Sequence, residues 1–406
     1  MYCILKHKNI DVALLDINNE DGDILKIKEV YDTKRLPVGV PAKKDTADID
    51  KLRKWWRDRS IPASRTGINE ALAILGVPHT LALVTKCYGL SLSDHYWIKS
   101  VDEDLYWEDI NFFENSFSED IGNILLGKES HSSPISLHAP DNTSDGCLKK
   151  RWKIINGRRC LIKGGSKPFL QQPFNEVIAT NIAKVLGIPH IQYWLMWDGD
   201  TPYSVCEDFV TVDTELVSAW RIVNTKKKSN SDSYYRHYVK CCEEKGLDVV
   251  DSLNKMIVLD YIIGNEDRHM NNFGIVRDAN TLEWIGAADI YDSGTALGYD
   301  KLSNQIRSGR DVVCKPFKED HDKQIRLVTD FSWIDFSALE NVESIIRNVL
   351  EPALEKTEVI DEERISAIVF IVKQRIEKLK NYAALNQIKD DIREDLKTNK
   401  ATTYDK

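Results

Sequence analysis

The middle of the chain switches between apolar positions two apart and apolar positions three or four apart, and each change of period marks an element. Residues 152–155 and 158–163 are β-prone runs on either side of Asn156-Gly157. Both turn residues tolerate positive φ, so the segment predicts a hairpin. Val177, Ile178, Ile182, Val185 and Leu186 line one face of a following helix, which Pro173 can start and Gly187 and Pro189 end. Residues 191–197 and 203–206, separated by Asp198-Gly199-Asp200, read as two more strands. Val250, Leu253, Ile257 and Tyr261 place a second helix over residues 247–263, stopped by Gly264. A polar loop at 264–274 leads into a short hairpin from residues 273–276 and 284–290. The remainder is largely helical. The order describes an α+β arrangement in which a small β-rich lobe precedes a larger helical one.

The flanks differ in texture. Residues 1–127 read as an N-terminal α/β unit of unassigned role. Within it, Lys51-Leu52-Arg53-Lys54-Trp55-Trp56-Arg57-Asp58-Arg59 is basic and aromatic. The segment reads as an amphipathic helix that packs Leu52, Trp55 and Trp56 on a core and solvates its charges, in preference to a nucleic-acid contact. Residues 92–98 (LSDHYWI) are expected to be buried or at an interface. Residues 128–146 are rich in Ser, Pro, Asn, Asp and Gly and read as a linker or flexible loop. A second domain is expected over 147–389, with its β-rich lobe at 147–208 and its helical lobe at 209–389. Residues 390–406 form a charged tail expected to fray.

Composition narrows the setting. The net charge of −9 gives no global field favouring nucleic acid. No apolar run is long enough to span a membrane, and the N-terminus lacks the apolar core of a signal peptide. A cytoplasmic location is expected; a signal-independent secretion route would leave no mark in the sequence. The eight cysteines have no Cys-x-x-Cys spacing and read as free thiols, several of them buried.

Chemistry concentrates in the polar loop. Asp267 stands five residues before Asn272, and Asp292-Ser293-Gly294 follows twenty residues later. A kinase-type site has this layout: an Asp to engage an acceptor hydroxyl, and an Asn and a second Asp to hold Mg²⁺ on ATP phosphates. Asp289 competes with Asp292 as metal ligand. Asp292 is preferred because Gly294 would permit a sharp turn that exposes it. His269 is a candidate for the catalytic loop, more as a hydrogen-bonding residue that shapes it than as a proton carrier. Upstream, Lys163 ends a predicted strand and Glu176 lies in the first turn of the next helix. Alone they would be ordinary surface charges; with the downstream loop they read as a phosphate-contacting lysine and the carboxylate that orients it. No Gly-x-x-x-x-Gly-Lys-Ser/Thr loop is present, which removes the P-loop class. The candidate phosphate-covering loop is residues 143–150, with Ser144, Gly146 and two lysines. Glu207-Asp208-Phe209 occupies the hinge position, where backbone groups would meet the adenine edge. These pieces define a two-lobed, protein-kinase-like α+β fold.

Asn265-x-Asp267-x-His269-x-x-Asn272-Phe273, Tyr291-Asp292-Ser293-Gly294 and the Asn175-Glu176 helix after Lys163 together resemble the HipA-like serine/threonine kinases. The resemblance covers roughly residues 140–390. It implies ATP and Mg²⁺ as cofactors, a protein acceptor with Ser or Thr hydroxyls, and an antitoxin-like partner as in toxin–antitoxin pairs. Position by position it implies that Lys163 contacts the ATP phosphates and Glu176 holds it. Asp267 would then be the catalytic aspartate, with Asn272 and Asp292 on Mg²⁺. The loop around Ser144 would cover the phosphates, and Ser144 would be a candidate autophosphorylation site. Asp267-Arg268-His269-x-x-Asn272 also resembles the catalytic loop of phosphatidylinositol kinases. A lipid kinase and a non-catalytic kinase-like binding protein are therefore the alternatives.

Overall fold

The computed structural model describes residues 1–44, 46–128, 134–310 and 312–402, with side chains to residue 388. The chain forms two compact units, neither of them continuous in sequence. The first comprises Met1–Pro173, Ile191–Val249 and His269–Tyr291; the second comprises Phe174–His190, Val250–Arg268 and Asp292–Lys406.

The first unit holds all the described strands. β1 (Tyr2–His7), β2 (Ile10–Ile17), β3 (Ile24–Val30) and β6 (Tyr96–Ser100) form an antiparallel sheet in the order β3-β2-β1-β6. A two-residue pair, β4 (Ala42–Lys43) with β5 (Thr46–Ala47), stands apart. The helix Ile49–Arg57 starts where the Asp48 side chain accepts from Lys51 N–H, and it buries Leu52, Trp55 and Trp56. That is the amphipathic reading of the basic, aromatic segment. Tyr96, Trp97 and Ile98 are buried in the same region.

β7 (Lys150–Ile155) and β8 (Arg158–Gly164) are the predicted hairpin. Asn156 (φ 50°) and Gly157 (φ 80°) both take the left-handed conformation of a two-residue primed turn. With β9 (Tyr193–Asp198) and β10 (Thr201–Glu207) they make a sheet in the order β7-β8-β10-β9. The predicted short hairpin, β12 (Gly274–Asp278) and β13 (Trp284–Ala287), gains a third strand, β11 (Thr214–Ser218). β11 escapes a periodicity reading because one of its two inward positions is Glu215, which breaks the apolar alternation.

The end of the polar stretch before β7 is not a solvated spacer. Residues 129–133 lie outside the described residues. Pro140–Thr143 then form a 3₁₀ turn with Pro140, Asp141 and Asn142 buried, and Ser144 is buried as well.

The second unit is helical among its described residues. Gln172–Val185 belongs to it from Phe174 onward and is followed by Gly187 at φ 64°. Val250–Ile263 is buried almost all round from Leu253 to its end, so it is a central helix rather than a surface one. The long helix Glu362–Thr402 packs on it and on Ser303–Ser308 and Val342–Leu350. The helix carries the charged tail as far as residue 402, and residues 403–406 lie outside the described residues. Among the described residues no single helix is long and apolar enough to cross a membrane. All eight cysteines are free, and only Cys147 is exposed.

Candidate active site

The polar loop is divided between the units, Gly264 to Arg268 in the second and His269 onward in the first. In the second unit the helix Val250–Ile263 stops at Gly264, whose φ is 61°. Asp260, in the last turn, is fully buried, and so is Arg268. Arg268 Nε and one of its terminal nitrogens donate to the two carboxylate oxygens of Asp260, each at 3.0 Å. The same terminal nitrogen donates to Ser293 Oγ at 2.9 Å, and the other reaches the Asp292 carbonyl at 3.4 Å. Asn265 Nδ2 donates to Asp260 at 2.9 Å, and Asn265 Oδ1 accepts from Asp267 N–H at 3.1 Å. Burial opposes the Arg268 charge, but the Asp260 carboxylate more than offsets it and holds the guanidinium above its ordinary pKa. One buried ion pair therefore fixes the backbone on which Asp267 and Asp292 stand.

Glu176 is buried, and its carboxylate accepts from Ser293 N–H at 2.8 Å. Asn175 Nδ2 donates to the carbonyls of Gly294 (2.9 Å) and Ala296 (2.7 Å). The left-handed turn at this segment falls on Asp292 itself, φ 57°. Gly294 is instead an acceptor in the Asn175 contact, so the turn expected at the glycine comes two residues earlier. A positive φ on a non-glycine residue is uncommon and collects at functional sites. Asp289 is exposed and Asp292 half-buried. Asp267 is half-buried, with Lys315 Nζ 2.7 Å from its carboxylate.

In the first unit Lys163 is buried on β8. Its Nζ donates to Tyr193 Oη at 3.3 Å and lies over the tyrosine ring. Directly opposite stand Lys150 on β7 and Ser204 on β10. Lys150 is buried too, so two ammonium groups share one face at facing positions, where like charges repel. Ser204 Oγ is buried with no hydrogen-bond partner among the described residues. Gly146 takes φ 92°, a backbone conformation that favours glycine, and brings the loop close to the flexible end of Lys150, whose Nζ would stand 2.7 Å from a Cβ placed there.

The segment Ser144–Gly146 is gripped by Arg65, a fully buried residue of the N-terminal region. Arg65 donates to Ser144 Oγ (2.8 Å) and to the carbonyls of Ser144 (2.5 Å), Asp145 (2.9 Å) and Gly146 (2.9 Å). Ser144 Oγ donates to the Asp141 carbonyl at 2.8 Å. Burial lowers Arg65 to about 10 against the pull of Asp141 and Asp145.

Asn272 is buried, and its N–H donates to the His269 carbonyl at 2.8 Å. His269 Nδ1 accepts from Asn271 N–H at 3.2 Å, which gives the histidine a loop-shaping contact. Tyr291 Oη donates to the Asn271 carbonyl at 2.8 Å and its ring stands 5.3 Å from that of Phe209. A Cβ on Gly274 would lie 2.3 Å from the Val217 carbonyl, so the end of the loop needs glycine to enter the sheet beside β11. In the segment expected to be the hinge, Glu207 is exposed and pairs with Arg158 at 3.0 Å. Burial pushes the Asp208 carboxyl well above the usual carboxylate range, and its Oδ2 has no partner among the described residues.

Among the described residues no cluster of His, Cys, Asp and Glu has the make-up of a metal centre. Asn272, in the first unit, carries an amide oxygen and Asp292, in the second, a carboxylate; each is by itself a hard oxygen donor of the kind Mg²⁺ takes.

The strands, the polar loop and the Asp292 turn define a kinase-like α+β protein. The HipA-like C-terminal domain model matches residues 144–357, and the chain belongs to this family of HipA-like kinases. It is 29% identical over 149 residues to the serine/threonine-protein kinase CtkA of Helicobacter pylori, a match that covers 35% of this chain and 43% of that protein's length. A crystal structure of CtkA, a proinflammatory kinase, aligns over 60% of this chain and 95% of its own, with 20% identity and a TM-score of 0.46. HipA from Shewanella oneidensis, solved with HipB and its operator DNA, aligns over 96% of this chain and 99% of its own. That alignment has 14% identity and a TM-score of 0.52, a likeness of fold.

Proposed function

We propose that this protein is an ATP- and Mg²⁺-dependent kinase that phosphorylates serine or threonine hydroxyls of a protein acceptor. The observation that carries the reading is the Arg268 clamp. A single buried guanidinium joins Asp260, Ser293 Oγ and the Asp292 carbonyl, and so ties the segment bearing Asp267 to the segment bearing Asp292. Phosphoryl transfer is mostly positioning and charge neutralisation, and a rigid frame under two half-buried carboxylates serves both. In this reading Lys163 and Lys150 neutralise the ATP phosphates, and Glu207 to Phe209 line the adenine edge. Asn272 and Asp292 hold the metal, which when bound offsets phosphate charge. Asp267 orients the acceptor hydroxyl and takes its proton. An antitoxin-like protein partner belongs to the same proposal, by analogy with the HipA solved with HipB.

The test is transfer from labelled ATP with Mg²⁺, using the protein alone, with cell extract, and with inositol lipids. Label on protein that disappears in Asp267→Ala and in Asp292→Ala supports the proposal. Label on lipid only would replace it with the lipid-kinase reading. No transfer to any acceptor would favour a kinase-like binding protein.

A further inference from the structure

We propose that Lys315 is a positioning residue for Asp267, supplying from a distant loop the cation that holds the carboxylate toward its acceptor. The proposal rests on the kinase reading above. Lys315 Nζ stands 2.7 Å from the Asp267 carboxylate, with the lysine side chain half exposed and the carboxylate 38% exposed. An ion pair that accessible adds little to stability, so its placement is not explained as a fold-holding contact.

The loop that carries Lys315 is nevertheless built. Gln324, itself almost fully buried, donates Nε2 to the Lys315 carbonyl at 2.7 Å. Its Oε1 accepts from Phe317 N–H (3.0 Å) and Lys318 N–H (3.1 Å). A bridge between Val313 and Asp320 closes the loop, and Cys314 N–H donates to the Glu319 carbonyl at 3.2 Å. Five backbone groups between Cys314 and Glu319 are thus fixed, and the ammonium is delivered to a carboxylate whose own backbone is fixed by Asn265. The polar loop cannot provide this cation from within: residues 267–272 contain no lysine, and its one arginine, Arg268, is buried on Asp260.

The chemistry gives the ammonium a task. As the acceptor oxygen bonds to the γ-phosphorus, the bond from that phosphorus to the bridging β–γ oxygen breaks, and its electron pair leaves on ADP. The hydroxyl proton passes to Asp267. The lysine stays protonated throughout. It restrains the carboxylate before transfer and offsets negative charge beside it during transfer.

The experiment compares wild type, Lys315→Met, Lys315→Arg, Asp267→Asn and the double variant Asp267→Asn/Lys315→Met. Initial transfer rates at saturating ATP are read on the protein itself and on dephosphorylated casein, and ATP affinity is measured by calorimetry. Lys315→Met should lower the rate about 10- to 100-fold while ATP affinity stays within about twofold, since orientation and not nucleotide binding is lost. Lys315→Arg should recover most of the rate. The double variant should be no slower than Asp267→Asn alone, because the lysine acts through the aspartate. A Lys315→Met protein as fast as wild type, or one that loses ATP affinity in step with rate, overturns the assignment and leaves the kinase reading standing. A wild-type protein that transfers no label overturns both, and is told apart by the first lane.

Discussion

At the scale of single residues, the two aspartates of the site sit in different surroundings and should fail differently. Asp292 occupies a left-handed backbone position with Ser293 N–H tied to Glu176, so its carboxylate is presented by strain and by a buried contact. Asp267 is half-buried and faces Lys315. Asp292→Ala is therefore expected to weaken Mg²⁺-dependent ATP binding about 100-fold or more, and Asp267→Ala to change it less than about threefold while stopping transfer. Calorimetry with and without Mg²⁺ checks this; equal nucleotide affinity in the two variants would contradict the division of roles. Asp267, Asn272 and Asp292 stand out in the sequence because they lie at close, fixed spacing in polar turns, where each residue type has a chemical meaning. Arg268 does not stand out, although the frame depends on it. An arginine is exposed by default, and only its partners make this one internal. The signal that could have exposed it is Asp260, an acid inside an otherwise apolar run from Met256 to Ile263, which calls for a buried partner nearby. Arg65 and Lys315 were hidden for a related reason: each meets its target from a segment far away in sequence.

At the scale of elements, the loop over Lys150 is held shut from outside the matched domain. Arg65 donates to three successive carbonyls and to the Ser144 hydroxyl, while that hydroxyl donates to Asp141. Ser144 is thus buried and doubly engaged, so its modification requires the loop to leave Arg65. Arg65→Ala should raise local opening, with amide exchange at residues 144–146 faster by about tenfold or more, as expected for loss of several hydrogen bonds to a charged donor. If Ser144 is the acceptor for autophosphorylation, its labelling should rise in the same variant. Exchange that is unchanged in Arg65→Ala would mean the loop is held by other contacts. Local chemistry explains which elements could be read beforehand. The β7–β8 hairpin follows from Asn156-Gly157, and the helix ends follow from Gly187 and Gly264, all of which adopt positive φ. β11 could not be read, because its inward position carries Glu215 and its pairing with β12 spans some sixty residues of chain.

At the scale of the whole molecule, residues outside the family match are built into the same compact unit as the strands inside it. The joint is a buried polar network. Arg35 meets His7 Nδ1 at 2.8 Å, and because arginine can only donate, His7 Nε2 carries the proton it gives to Glu215 at 3.0 Å. Arg277 on β12 donates to Glu215 and, at 3.1 Å, to Tyr96 Oη on β6. His95 Nε2 lies 2.9 Å from the Thr214 carbonyl, and Leu216 N–H donates to the Ser93 carbonyl at 2.9 Å. Burial works against the Glu215 charge, yet the His7 hydrogen bond and the Arg277 cation lower its pKa from 4.5 to about 2. Burial lowers His95 from 6.5 to about 4. Both groups are more readily protonated when the chain is unfolded, so both withdraw stability as pH falls. His95 does so from about 6.5 down to about 4, and Glu215 from about 4.5 down to about 2. Urea unfolding across this range should therefore show two successive losses. Glu215→Gln should be less stable than wild type at pH 7, and the gap should narrow as the pH is taken below 4.5, where wild type loses the same charge. His95→Gln should flatten only the upper part of the curve. A gap between wild type and Glu215→Gln that stays constant from neutral pH down to the acid limit would show that the carboxylate is not what ties the two regions together.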